Sequence, residues 1–231
     1  MANVKTVKPD GSGDYTTLAL WEDYADGQAD PAQHAECDSS GDLGPVTIAG
    51  WASGGSATAD DHCYIYTAAG HYHNGSKTAG AYIDSPANPN LAIDMVLDFC
   101  HINGIRLNGG GMRCQIRLTE TNIIENIFAH RGTGLNSAGN GIEASSLTGN
   151  ASSGKAVGHI IRNCVVDDWW QQGYQIGMSG NTGTTGSVTM LNCSTYSSGG
   201  HGIVIRNDST GGCDLTIENC GIVTGKQFLI I

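Results

Sequence analysis

The sequence predicts an all-β protein: a right-handed parallel β-helix, a solenoid of short stacked strands, with a short capping helix at its N-terminus. Three observations predict it. The composition combines 34 glycines with 14% charged and 39% hydrophobic residues, too glycine-rich for a helical bundle and too apolar for a disordered chain. A short motif recurs through the second half. The first 25 residues read as a strand, a tight turn and one amphipathic helix.

The 231 residues suffice for one domain with a substantial core. A single β-helix domain is expected over 1–231, with a strand and cap at 1–25, irregular early coils at 26–90 and regular coils at 91–231. In the cap, Val4-Lys5-Thr6-Val7-Lys8 is strand-like and Pro9-Asp10-Gly11-Ser12-Gly13-Asp14-Tyr15 is a turn. Thr16 and Thr17 offer a cap, and Leu18, Trp21 and Ala25 share one helical face. A solenoid leaves an open apolar cross-section at its end coil, and such a helix covers it. In 26–90, Val46-Thr47-Ile48 and Tyr64-Ile65-Tyr66 are strand-like between loops.

The repeat aligns Leu97-Asp98-Phe99-Cys100, Ile124-Glu125-Asn126-Ile127, Ile161-Arg162-Asn163-Cys164, Leu191-Asn192-Cys193 and Ile217-Glu218-Asn219-Cys220. Its last positions, 100, 127, 164, 193 and 220, step by 27, 37, 29 and 27 residues, a solenoid period with insertions. Alternation turns one set of side chains inward. It predicts an internal Cys/Ile column and an Asn column (126, 163, 192, 219) whose amides bond along the axis at about 4.8 Å. A second strand follows in each coil: Gly139-Asn140-Gly141-Ile142, Gly173-Tyr174-Gln175-Ile176, Gly200-His201-Gly202-Ile203-Val204-Ile205 and Gly225-Lys226-Gln227-Phe228-Leu229-Ile230-Ile231. The glycines are expected to permit sharp corners, and Ile203 and Ile205 to point inward. Phe228, Leu229, Ile230 and Ile231 form an apolar end without a cap, expected to meet another subunit, a different protein or further chain.

Net charge is −11 with only 11 Lys and Arg. That argues against nucleic acid, anionic membrane and polyanionic substrates as partners, and leaves neutral glycans and protein surfaces. No apolar run approaches a membrane span of about 18 residues. Met1-Ala2-Asn3-Val4-Lys5 does not open a secretory signal, so synthesis in a host cytoplasm is expected. Most of the eight cysteines then read as reduced, buried small hydrophobes. Column spacing disfavours disulfides. Cys37 and Cys63 lie outside the repeat as a candidate pair.

The segment Asp10-Gly11-Ser12-Gly13-Asp14-Tyr15-Thr16-Thr17-Leu18 with its Trp helix, and the Asn-Cys coils at 163–164, 192–193 and 219–220, resemble the pectate-lyase-like right-handed β-helix superfamily. The resemblance covers the first 25 residues and most of 91–231. It implies the fold, and a choice among polysaccharide lyases, glycoside hydrolases and bacteriophage tailspikes or other virion proteins; a shared fold does not select among them.

Asp167-Asp168, His201 within Gly200-His201-Gly202, and Arg206 resemble in order the motifs of polygalacturonase-type glycosidases. Inverting hydrolysis needs an acid and a base about 6.5–9.5 Å apart. The family's Asn-Thr-Asp coil is not found, His201 aligns with Asn140 or Tyr174 as a corner residue, and the Asp pair reads equally as solvated turn carboxylates. No catalytic residue is therefore assigned; if the chain is an enzyme, Asp167, Asp168, His201 and Arg206 carry it. Trp169, Trp170 and Tyr174 could contact a glycan or partner, one Trp pointing in and the other out. His62, Cys63, His71 and His73, near Asp60-Asp61, match no strong zinc spacing, so neither metal nor cofactor is expected. The Asn108–Gly111 loop lacks the Lys-Ser/Thr of a phosphate loop. Arg106, Arg113, Arg117 and Asp98 could serve a lyase, without diagnostic spacing. The leading expectation is a bacteriophage virion structural protein, a decoration, fibre or tail component that is homo-oligomeric, with a trimer as one candidate, and/or bound to other virion proteins. The alternatives are a polysaccharide-degrading glycosidase or lyase, and a glycan-binding module without turnover.

Overall fold

The computed structural model describes residues 2–30, 32–48, 62–85, 92–95, 99–109, 115–116, 122–130, 140–146, 158–169, 172–178, 186–196, 199–207, 213–223 and 229–230. These form an all-β architecture with one helix among the described residues. The first sheet runs, in spatial order, β1 (Asn3–Val7), β2 (Gln33–Cys37), β4 (Cys63–Thr67), β7 (Cys100–Asn103), β10 (Ile123–Glu125), β13 (His159–Arg162), β16 (Gly186–Leu191) and β19 (Cys213–Glu218). The second runs β5 (Tyr82–Ser85), β8 (Arg106–Gly109), β11 (Phe128–His130), β14 (Val165–Asp167), β17 (Ser194–Tyr196) and β20 (Gly221–Ile222). The third holds β12 (Asn140–Ser146), β15 (Gln172–Met178), β18 (Ile203–Asn207) and β21 (Leu229–Ile230). The fourth holds β3 (Val46–Ile48), β6 (Ile93–Met95) and β9 (Gln115–Ile116). The pairings are parallel, and from β10 onward the chain visits the first, second and third sheets in unvarying order.

Alternation sorts the side chains. In the first sheet Ala35, Ile65, Ile102, Ile124, Ile161 and Met190 stand in register and are buried. Ile83, Leu107, Ala129, Val166 and Thr195 do the same in the second. Each such aliphatic burial stabilises by roughly 1.5–3 kcal/mol. The helix, α1 (Leu18–Asp26), is capped by the Thr17 hydroxyl, which accepts from the Leu20 N–H. It buries the expected Leu18, Trp21 and Ala25, with Glu22 as well, against β1, β2 and β3.

The link between first and second sheets is two residues, the first of them in the left-handed region: Asn126 (φ 54°), Asn163 (54°), Asn192 (52°) and Asn219 (53°). Asparagine tolerates this conformation better than other side-chain-bearing residues. One bond of the expected amide column is present, Asn192 Nδ2 donating to Asn163 Oδ1 at 3.2 Å, whereas Asn126 Nδ2 donates outside the column to Asn103 Oδ1 at 2.9 Å.

The register corrects the repeat at its first member. Glu125 pairs with Asn103, so the counterpart of Asn126-Ile127 is Gly104-Ile105, and Gly104 has φ 81°. Phe99 does have φ 52°, but it precedes β7 instead of following it. Cys100 therefore opens a first-sheet strand and lies outside the Ile/Cys column. In that column Cys164, Cys193 and Cys220 each donate a thiol to the carbonyl two residues back, at 3.2–3.3 Å, and to one on the neighbouring strand, Ile124, Ile161 and Met190 respectively. A small, weakly donating side chain suits a junction that leaves those carbonyls facing inward.

A second correction concerns the glycines before the third-sheet residues Ile142, Tyr174 and Ile203. Gly141, Gly173 and Gly202 have no positive φ. They are required by close approach: a Cβ on Gly173 would meet the Gly202 carbonyl oxygen at 2.7 Å, and one on Gly202 would meet Ile222 Cγ1 at 2.7 Å. The second sheet packs directly on this glycine column.

Candidate functional site

Two clusters lie on outward sheet faces. On the first sheet, His34, Tyr64 and His101 stand in register. The Tyr64 ring stacks on His101 (centroids 4.4 Å, 22° between planes) and on Tyr66 (4.7 Å, 28°), and His34 meets Tyr64 edge to face at 5.5 Å. His62 lies 6.1 Å from His34 and 6.3 Å from His101. The rim is tied down: Tyr66 Oη donates to Glu36, Asn103 Nδ2 to Tyr64 Oη at 3.0 Å, and His101 Nε2 sits 2.8 Å from Glu125, which also takes the Arg162 Nε. Burial pushes His34 and His101 below the ordinary imidazole value, with Glu125 opposing the shift at His101. Burial and then Glu36 push Tyr66 up to about 12. Because the rings stack on one another, they present mainly edges, and each pair adds roughly 0.5–1.5 kcal/mol beyond burial.

The second cluster forms where residues 68–80 leave the first sheet and cross neighbouring strands of the second. His71 Nδ1 accepts from the Ser39 N–H at 3.1 Å, and His73 Nε2 meets the Asn126 carbonyl. The Arg106 guanidinium donates to the Lys77 carbonyl and lies 4.8 Å over the Tyr82 ring. Lys77 Nζ reaches Asp167 Oδ2 at 2.8 Å, and His130 Nδ1 is 3.4 Å from the same oxygen. Burial, then Lys77, lowers the His130 pKa, while Asp167 raises it.

The residues singled out by sequence separate in this frame. Asp167 belongs to the Lys77–His130 cluster. Asp168 is the left-handed residue after β14 (φ 54°), its N–H on the Tyr196 carbonyl at 2.9 Å. His201 is level with Gln172 and Asn140, its carbonyl accepting from the Gly173 N–H at 3.1 Å. The corner alignment with Asn140 holds, whereas Tyr174 pairs with Ile203. Arg206 is on β18, opposite Gly177. No hydrogen bond or ion pair joins Asp167, Asp168 and His201 among the described residues.

Trp169 is 1% exposed and Tyr174 fully buried, so neither offers a surface for a sugar. The Tyr174 hydroxyl is spent on the Cys164 and Ser194 carbonyls at 2.8 and 3.1 Å. Leu229 and Ile230 extend the third sheet against Val204 and Ile205. Trp170, Phe228, Ile231, Asp60, Asp61, Asp98, Arg113 and Arg117 lie outside the described residues. Cys37 faces Thr67, and the neighbour of Cys63 is Cys100, which corrects the candidate Cys37–Cys63 pair. His62, His71 and His73 go to three different surroundings. Among the described residues no group of three or more His, Cys, Asp or Glu converges as a metal site, and no helix is long and apolar enough to cross a membrane.

Sequence reasoning missed Lys77 and His130, which no local motif links to Asp167. The first-sheet ladder carried a signal, the alternation of polar rings with apolar residues in Gln33–Cys37, Cys63–Thr67 and Cys100–Asn103. No protein-family model matches the chain, and neither the curated proteins nor the solved structures hold a match.

Proposed function

We propose that the parallel sheets are the faces of one right-handed β-helix, and that the chain is a structural component of a bacteriophage virion. It would be a decoration, fibre or tail element that displays this rod and assembles through its last coil. The unvarying order of visits to three parallel sheets supports the winding, and parallel crossovers are right-handed in about 98% of cases. The observation that carries the assembly reading is the incomplete cover of the last coil. Val188, Met190, Cys193 and Thr195 are buried, yet their counterparts Leu215, Ile217, Cys220 and Ile222 are only partly so, and Val223 is 57% exposed. Apolar surface of this kind marks a contact site, for another subunit, a different protein or further chain. The outward charges support a display role, being paired along the rod in His101–Glu125–Arg162 and Lys77–Asp167–His130.

Light scattering over a dilution series tests this. A stable trimer or larger assembly is expected, and a monomer at every concentration contradicts self-assembly. A second reading, glycan contact without turnover, rests on the partly exposed Tyr64, Tyr66 and His101 cluster, which replaces the buried Trp169 and Tyr174 as the aromatic surface. It predicts tyrosine fluorescence changes on adding a neutral oligosaccharide. A glycosidase or lyase reading would rest on Asp167, which His130 and Lys77 approach, and Asp167→Ala would then abolish polysaccharide turnover.

A further inference from the structure

Cys63 and Cys100 are the first residues of β4 and β7, adjacent strands of the first sheet, and stand directly in register. Both are buried, and their Sγ atoms lie 3.2 Å apart. Neighbouring parallel strands hold Cα atoms about 4.8 Å apart, inside the 4.4–6.8 Å range over which disulfides form. Closing the bond to about 2.05 Å asks each sulfur to move by a little over half an ångström. Cys63 opens its strand, so ladder bonds hold it on one side only, which eases that movement. Cys100 is held on its far side by Asn122 Oδ1, which accepts from its N–H at 2.6 Å, while Phe99, beside it, already departs from extended geometry at φ 52°. Cys193 also neighbours the Cys164 and Cys220 thiols, but Cys164 and Cys193 each direct their thiol at two carbonyls as well. Cys37 has no thiol neighbour in register, being opposite Thr67.

We propose that Cys63 and Cys100 form a latent redox staple, free thiols in a reducing compartment and a disulfide when the chain folds or breathes in an oxidising one. The co-reactant is a small disulfide. The thiolate of one cysteine attacks it, releasing one small thiol and leaving a mixed disulfide. The second cysteine, as thiolate, displaces the other small thiol. Two protein thiols are oxidised, one small disulfide is reduced to two thiols, and the two protons end on those thiols. Full burial restricts the exchange to folding or local opening, and burial also raises the Cys63 pKa, which slows it further. The bond would tie two successive strands of the first sheet and close the chain that contains residues 68–80, including the Lys77 contact to Asp167.

The test is refolding of the full chain in a glutathione disulfide/glutathione buffer, in parallel with a fully reduced control. The expected product is 2 Da lighter and yields a non-reduced proteolytic peptide joining residues 63 and 100. Its Tm should rise by roughly 5–10 °C, as expected for a closed loop of this length. Cys63→Ala and Cys100→Ala should each lose both the link and the shift. Free thiols at 63 and 100 in the refolded wild type would overturn the proposal. So would linkage of either residue to another cysteine, or a Tm gain retained in both variants. The wild-type peptide map decides even if a variant fails to fold.

Discussion

Asn163 and Asn192 occupy equivalent left-handed junctions after adjacent first-sheet strands, and the Asn192 amide donates to the Asn163 side-chain oxygen at 3.2 Å. One side chain thereby does two jobs: it tolerates φ near 53° and ties its junction to the next. The two can be separated. Asn192→Gly removes the amide bond but relieves the backbone, and should cost under about 1 kcal/mol. Asn192→Val loses the bond and strains the junction, and should cost about 1–3 kcal/mol. Urea unfolding of the two variants makes the comparison.

Gly173 makes the opposite case, since its φ is ordinary and its constraint is steric. Gly173→Ala would push a methyl against the Gly202 carbonyl and the Thr195 side chain, neither of which can retreat without moving a strand. A loss of about 1–3 kcal/mol is expected, as for overpacked cores, and thermal unfolding reads it. Gly11 has nothing within 4 Å of a built Cβ, with φ 83°, so Gly11→Asn should be tolerated.

How much of this was legible depends on what each residue had to satisfy. Asn-Cys at 163–164, 192–193 and 219–220 revealed the repeat because two demands, a left-handed backbone and a small inward side chain, left few solutions. Gly104-Ile105 meets the same demands with other residues, so it was passed over for Phe99-Cys100, which shares a cysteine but sits before its strand. Trp169 and Tyr174 looked like surface aromatics because their sequence neighbours are polar, whereas the turn of the chain after Asp168 carries them inside. Asp167 stands out in the sequence within Asp167-Asp168, but its contacts are not legible there: Lys77 arrives on a crossing loop and His130 from the adjacent strand.

His159 provides a pH signature. It is fully buried, in register with Val188, and neither ring nitrogen has a hydrogen-bond partner among the described residues. Burial pulls its pKa down to about 3 from an ordinary 6.5. The unfolded chain therefore takes up the proton first as pH falls. The stability contributed by the neutral ring is complete above about pH 6.5 and is lost progressively toward pH 3, at up to about 1.4 kcal/mol per pH unit. His159→Val should flatten the dependence of urea midpoint on pH between these limits. An unchanged slope would count against the burial.

The Lys77–Asp167–His130 cluster predicts opposite shifts from its two partners. Lys77→Met should raise the His130 pKa and Asp167→Asn should lower it. NMR titration of the His130 ring measures both. The stability cost of Lys77→Met should stay below about 1 kcal/mol, since that side chain is 53% exposed and its ion pair is screened.

The central claim is that the first-sheet strands stack in one continuous parallel column. Val4 and Thr216 are exposed, in register through the intervening strands, and on the first and last members of that sheet. Spin labels placed at both positions as non-cysteine adducts, leaving the native thiols untouched, should report one narrow distance by double electron–electron resonance. Seven strand spacings of about 4.8 Å set the backbone separation at about 34 Å, to which the label arms add several ångströms of spread. A single peak there supports the β-helix; a peak below about 20 Å, or a distribution without a peak, would contradict it.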